Sequence, residues 1–148
     1  MKQMPEKAKC ILVMVLLAGL LSGSPILSSA QSTTQPVLIK TLLEAATSYQ
    51  GRAIAVVGIA KDVEELPPTP ACKHLYRFGD YVFELKDESS SIRVEVMGRC
   101  GAHGGVKIVR DGDRVLVNGV FIQLQTGNFS SPTMFISALN QAVSLLPQ

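Results

Sequence analysis

The chain has 148 residues, nearly half of them apolar, with no tryptophan and a formal charge of only +2. A surface built to hold a nucleic-acid backbone shows a clear basic excess, and this composition does not. The length accommodates one small domain behind a leader.

The first thirty residues read as an export signal. Lys2, Lys7 and Lys9 make a basic start, an apolar run covers residues 11–21, and Ser28 and Ala30 place small residues ahead of Gln31. The run is shorter than the roughly 20 apolar residues that cross a bilayer. Cys10 precedes the run, so it is not a lipid acceptor at the cleavage point. The expected mature chain is residues 31–148, periplasmic or secreted, with no membrane span. The leader holds three lysines and Glu6, so of fourteen basic and twelve acidic residues eleven of each remain, and the mature charge is zero.

Residues 31–36 are polar and read as a linker, with the domain proper at 37–148. Leu38, Leu42, Ala45 and Ala46 recur at helical spacing and stop at Gln50-Gly51, which predicts one short helix. Residues 52–63 are rich in Val and Ile around Gly58 and read as a strand with a bend or close approach. Residues 64–71 carry three prolines and read as a loop.

Residues 76–86 and 91–98 form the clearest strand pair, joined by Asp87-Glu88-Ser89-Ser90. If Lys86 pairs with Ser91, Leu85 faces Ile92, Phe83 faces Val94 and Tyr81 faces Val96, all on one side. Glu84 then falls opposite Arg93 on the other side, as a cross-strand ion pair. A slip of one residue would break both matches at once. Residues 99–110 are a glycine-rich connection, Asp111-Gly112-Asp113 a turn, and residues 114–124 a long strand bending at Gly119. After a loop at 125–131, residues 133–138 form the fifth strand and 139–146 a helical turn or tail. Asn128-Phe129-Ser130 matches a glycosylation sequon, a triplet too common to carry weight.

Five strands with glycine bends in the first and fourth predict an all-β closed barrel with one short N-terminal helix. Here the chain resembles the oligonucleotide/oligosaccharide-binding (OB) fold, as an exported, bacterial-type, single-domain member. The matching segments are a glycine-led first strand at 50–60, a strand ending in Asp at 81–87, a short third strand at 91–94 and a Gly-Asp-led fourth at 112–120. Their order carries the resemblance, which covers residues 41–138. It implies a five-stranded OB-like Greek-key barrel that binds ligands on strands two and three and nearby loops, without implying which ligand. An exported relative with a similar barrel is the haem chaperone of cytochrome c maturation, which attaches haem at a histidine beside a tyrosine near its C-terminus. This chain has no His and no Tyr after Pro132, so that activity is not carried over and no cofactor is expected.

Two tight pairs stand out: Cys72-Lys73-His74 and Cys100-Gly101-Ala102-His103. Strand two starts just after the first pair, and strand three ends just before the second. The register above puts Cys100 near Arg77. An even cysteine count in an exported chain favours a Cys72–Cys100 disulfide, worth about 3 kcal/mol by loop entropy. The other reading is a zinc or copper site made by Cys72, His74, Cys100 and His103. Its spacings are unlike those of zinc fingers, and a disulfide would remove both thiolates. The absence of Cys-x-x-Cys disfavours a redox pair.

Catalysis has little support. No Ser lies in a Gly-x-Ser-x-Gly turn, and no Gly-Lys-Ser/Thr follows Gly104-Gly105. Turn chemistry accounts for Asp111 and Asp113. A binding surface is better supported: Tyr76, Arg77, Lys86, Arg93, Glu95 and Met97 are expected on or near the outer face of strands two and three. Tyr76 either stacks on a base or sugar ring or packs under the proline loop. Mixed charge and one exposed aromatic make this a poor platform for single-stranded DNA. The expected function is therefore an exported, non-enzymatic binding or interaction module for a protein or small ligand. The alternatives are a metal- or redox-cofactor-handling protein using the Cys/His end, and a single-stranded nucleic-acid binder.

The leader reading generates a direct test. The intact mass of the protein recovered from its native compartment is expected to start at Gln31; a mass that retains residues 1–30 overturns export with cleavage.

Overall fold

The computed structural model describes residues 35–73, 75–101, 108–125 and 131–147. The expected leader, residues 31–34 of the linker, His74, His103 and the sequon asparagine lie outside the described residues. Five strands close a barrel: β1 (Ala53–Glu65), β4 (Tyr81–Lys86), β5 (Ser91–Met97), β8 (Thr133–Leu145) and β7 (Arg114–Leu124), in that spatial order. β5 and β8 run parallel, and the other neighbours are antiparallel. The expected all-β, OB-like barrel is present. Three short strands, β2 (Thr69–Cys72), β3 (Leu75–Phe78) and β6 (Arg99–Cys100), form a separate small sheet in the order β2-β3-β6.

The β4–β5 register follows from the alternation of the two segments. Tyr81 pairs with Val96, Phe83 with Val94, Leu85 with Ile92 and Lys86 with Ser91. All six apolar members of these pairs are buried, and the Tyr81 and Phe83 rings stack with centroids 5.9 Å apart. β7, β8 and β1 add Val115, Val117, Phe121, Ile136, Ile54 and Val56 to the same core. Closure demands close backbone approach at the two glycines within β1 and β7. A Cβ on Gly58 would lie 2.6 Å from the Lys86 carbonyl oxygen, and one on Gly119 would lie 2.6 Å from Ile136 Cγ2.

Four sequence expectations change. The single helix is two, α1 (Ile39–Glu44) and α2 (Ala46–Tyr49), broken at Ala45 with φ −111° and ψ 34°. α1 buries Ile39 and Leu42 in the core. The break then redirects the chain so that the Gly51 N–H reaches the Phe121 carbonyl at 2.9 Å. The proline segment is not wholly loop. Its end forms β2, where Pro70 is tolerated because β2 lies on the edge of its sheet. The strand expected over 76–86 divides at Gly79-Asp80 into β3 and β4, although Arg77–Cys100 and Phe78–Arg99 keep the register of the barrel hairpin.

The expected C-terminal tail is the second half of β8. It pairs Val143 with Val117 and Leu145 with Val115 after a register shift. Without it the first residues of β7 would have unpaired backbone groups along one side. The shift disrupts the two-residue alternation, which hid this half of the strand from the sequence.

Core burial and surface exposure set opposite costs on neighbouring residues. Phe83→Ala is expected to cost about 3–5 kcal/mol in urea unfolding. Glu84→Ala, exposed on the same strand, is expected to cost under about 1 kcal/mol. Equal losses would contradict the inside–outside assignment.

Candidate functional site

Backbone polarity organises both ends of the β4–β5 hairpin. At the tip, Asp87 Oδ1 accepts from the Ser89 N–H at 2.7 Å and the Ser90 N–H at 2.8 Å. This Asx turn is what an Asp two residues before a Ser favours. Its Oδ2 accepts from the Ile39 N–H at 2.8 Å. Leu38, the residue preceding α1, offers no side-chain cap, so Asp87 caps that helix from 48 residues away. Burial alone would raise the Asp87 carboxyl; hydrogen bonds from Ile39, Ser89 and Ser90 outweigh it and hold the pKa below its ordinary value.

At the other end, Asp80 is 4% exposed where the barrel meets the small sheet. Arg77 Nε donates to it at 2.8 Å, Arg77 Nη2 lies 2.8 Å from Oδ2, and the Gly98 N–H donates to Oδ1 at 2.7 Å. The Asp80 carbonyl accepts from the Leu66 N–H at 2.8 Å. Burial pushes the Asp80 carboxyl upward, but the Arg77 and Gly98 hydrogen bonds and the Arg77 charge prevail, so its pKa is lowered. The same hydrogen bond raises Arg77. Beside this junction, burial pushes the Tyr81 hydroxyl up to about 12. The nearby Val109 N–H offsets this in part but stands outside hydrogen-bond geometry.

Cys72 and Cys100 are disulfide-bonded with Cα atoms 6.0 Å apart. β2 and β6 lie on opposite sides of β3, so the bond crosses the small sheet. Both sulfurs of the alternative metal set are thereby occupied. His74 and His103 lie outside the described residues, so the four-ligand cluster is not placed.

The expected ligand face is distributed over two sheets. Lys86, Arg93, Glu95 and Met97 stand on the outer side of β4–β5. Tyr76 and Arg77 are on β3. Tyr76 is 55% exposed and leans on Phe78, with ring centroids 6.4 Å apart. Arg77 is held by Asp80. Glu84 is opposite Arg93 in the register, yet the expected ion pair between them is not formed. Arg93 Nε instead reaches Glu95 Oε1 at 3.0 Å along its own strand, and Glu84 Oε1 accepts from the Ser91 hydroxyl. Residues two apart on one strand share a face, so Glu95 competes for the same guanidinium.

A cleft of about 470 Å³ is lined by Val82, Glu84, Ser91 and Arg93 on the outer side of β4–β5, by Asp62 and Glu64 of β1, and by Leu43, Phe83, Ile92 and Met134, which belong to the core or pack against it. Asp62 and Glu64 reach it because β1 bulges between Lys61 and Glu64, with Asp62 at φ 51°. The Val63 N–H freed by the bulge donates to Asp111 Oδ1 at 2.9 Å. Asp62, Glu64, Met134 and the Asp80 junction were missed by sequence reasoning. An alternating Val/Ile run gives no sign of where it bulges, and Asp80 looks like an ordinary turn residue after Gly79.

No protein-family model matches the chain, and no curated protein matches it.

Asp80 generates a pH test. Folding lowers its carboxyl pKa, so the folded state binds fewer protons than the unfolded one. The stability this gives is complete above the ordinary value near 3.8 and is lost as pH falls through the lower folded value. Asp80→Asn is expected to flatten the loss of stability below about pH 4 in urea unfolding and to destabilise the protein at pH 7; an unchanged acid limb would refute the assignment. Reducing the disulfide at neutral pH is expected to lower stability by about 3 kcal/mol, measured by the same unfolding.

Proposed function

We propose that this chain is an exported, non-enzymatic binding module whose ligand seat is the cleft lined by Val82, Glu84 and Arg93 of β4–β5. The observation that carries the reading is the cleft itself. It combines apolar lining from Val82, Leu43 and Met134 with Asp62, Glu64, Glu84 and Arg93 at one concavity. Small-ligand sites have this mixture of apolar lining and a few convergent polar groups. The disulfide supports export, because such bonds persist in oxidising compartments.

The charge around the cleft opposes a phosphate backbone as ligand. Three carboxylates line it against one guanidinium, and that guanidinium is paired with Glu95. The disulfide opposes a thiolate metal site for the same pair of cysteines. The OB-like barrel supports binding as a class and leaves the ligand to the site.

Amide chemical-shift mapping of the mature, oxidised protein tests the reading. Small polar and cationic fragments, short oligosaccharides and a thymidine oligonucleotide are titrated in turn. Shifts concentrated on Val82, Glu84, Arg93 and Met134 from fragments or sugars are the expected result. Tight, steeply salt-dependent binding of the oligonucleotide, or no ligand shifting those residues, overturns it.

A further inference from the structure

A second concavity lies around the outer face of β1, with a volume of about 550 Å³. Its position follows from the register. Ile59 is the residue at which β1 passes from one partner to the other: it pairs with Lys86 on β4 and with Arg114 on β7. Cross-strand partners point to the same side of a sheet. Two cations therefore flank Ile59 on either side, and Lys61, two residues further along β1, adds a third on the same face. Val57, two residues back, and Leu38, 48% exposed, continue the apolar floor.

None of the three cations makes an ion pair with a described residue. The carboxylates within reach do not serve them. Asp87, at the rim, accepts from three backbone N–H groups and the Ser89 hydroxyl. Glu84, opposite Lys61 in the register, accepts from Ser91. Glu88, on the hairpin tip, is the remaining rim carboxylate and stays beyond ion-pair distance. An apolar strip flanked by three cations that no described carboxylate pairs directly matches a ligand with an anionic head and an apolar body. Arg114 supplies a planar fork and Lys86 a point charge, a pair suited to an oxyanion.

We propose that the outer face of β1 binds a small amphipathic oxyanion, an alkyl carboxylate or alkyl phosphate ester. Its head lies between Lys86 and Arg114 above Ile59, Lys61 supports it, and its chain lies along Val57 and Leu38. This site is separate from the cleft on β4–β5, and its ligand has the opposite charge preference.

The test uses the mature, oxidised protein and amide chemical-shift titration with octanoate and octyl phosphate below their micelle concentrations. Octanol and inorganic phosphate serve as probes that carry only one of the two features. Both amphiphiles are expected to shift Val57, Ile59, Lys86 and Arg114, and the tighter of the two names the head group. Octanol and phosphate alone are expected to bind at least about tenfold more weakly. K86Q/R114Q is expected to weaken amphiphile binding by about tenfold or more, whereas Arg99→Gln, which removes a cation from β6, leaves it unchanged. The thermal transition of each variant reports whether it folds; both substituted side chains in the double variant are on the surface. Octanol binding as tightly as octanoate, an unweakened double variant, shifts centred on Val82 and Glu84, or no binding by either amphiphile overturns the proposal.

Discussion

The pairing of β4 with β5 is the constraint on which the other features depend. Its pleat puts Tyr81, Phe83, Leu85, Ile92, Val94 and Val96 in the core and Glu84, Lys86, Arg93 and Glu95 outside. A one-residue slip would invert both sets, burying four charges and exposing six apolar side chains. The same register continues past Gly79-Asp80 into β3 and β6, where it opposes Arg77 to Cys100 and brings Cys72 within bonding distance. The disulfide is thus a consequence of the hairpin. It then holds the small sheet together from both edges.

Carboxylates satisfy the backbone where this hairpin meets its surroundings. Asp87 closes the tip and caps α1, Asp80 joins the barrel to the small sheet, and Asp111 receives the amide released by the β1 bulge. Each sits where a strand ends or shifts register, the places where ladder hydrogen bonds run out. A buried carboxylate is costly unless its lone pairs are met. Asp80 meets that condition with Arg77, Gly98 and Thr69, and its lowered pKa is the electrostatic expression of the same contacts.

Carboxylates predominate in one concavity and cations in the other, although the two adjoin: Glu84 is opposite Lys61, and Asp87 and Glu88 rim the second. Asp62, Glu64 and Glu84 face the cleft on β4–β5, while Lys61, Lys86 and Arg114 face the concavity over Ile59. The bulge in β1 sets Asp62 and Val63 against Phe83 alone, so Lys61, opposite Glu84, and Glu64, opposite Val82, stay on the same outer face and line adjoining concavities.

The residues themselves determined the hairpin, its register, the inside and outside faces, the barrel class and the proximity of the two cysteines. The hairpin features follow from the period-two alternation of adjacent segments joined by a short loop, a local property, and the barrel class from five strand segments in order with glycines inside the first and fourth. Tertiary structure alone decided the division of residues 76–86, the strand character of the chain beyond Leu139, the exchange of Glu84 for Glu95 as the partner of Arg93, and the two concavities. These depend on which backbone groups are left unpaired when the barrel closes, and on which distant side chain arrives to meet them. Asp87 meets Ile39 and Asp111 meets Val63 across 48 residues in each case. No pattern of neighbouring residues encodes such a meeting, because the partners become neighbours only when α1 reaches the hairpin tip and β7 pairs with β1.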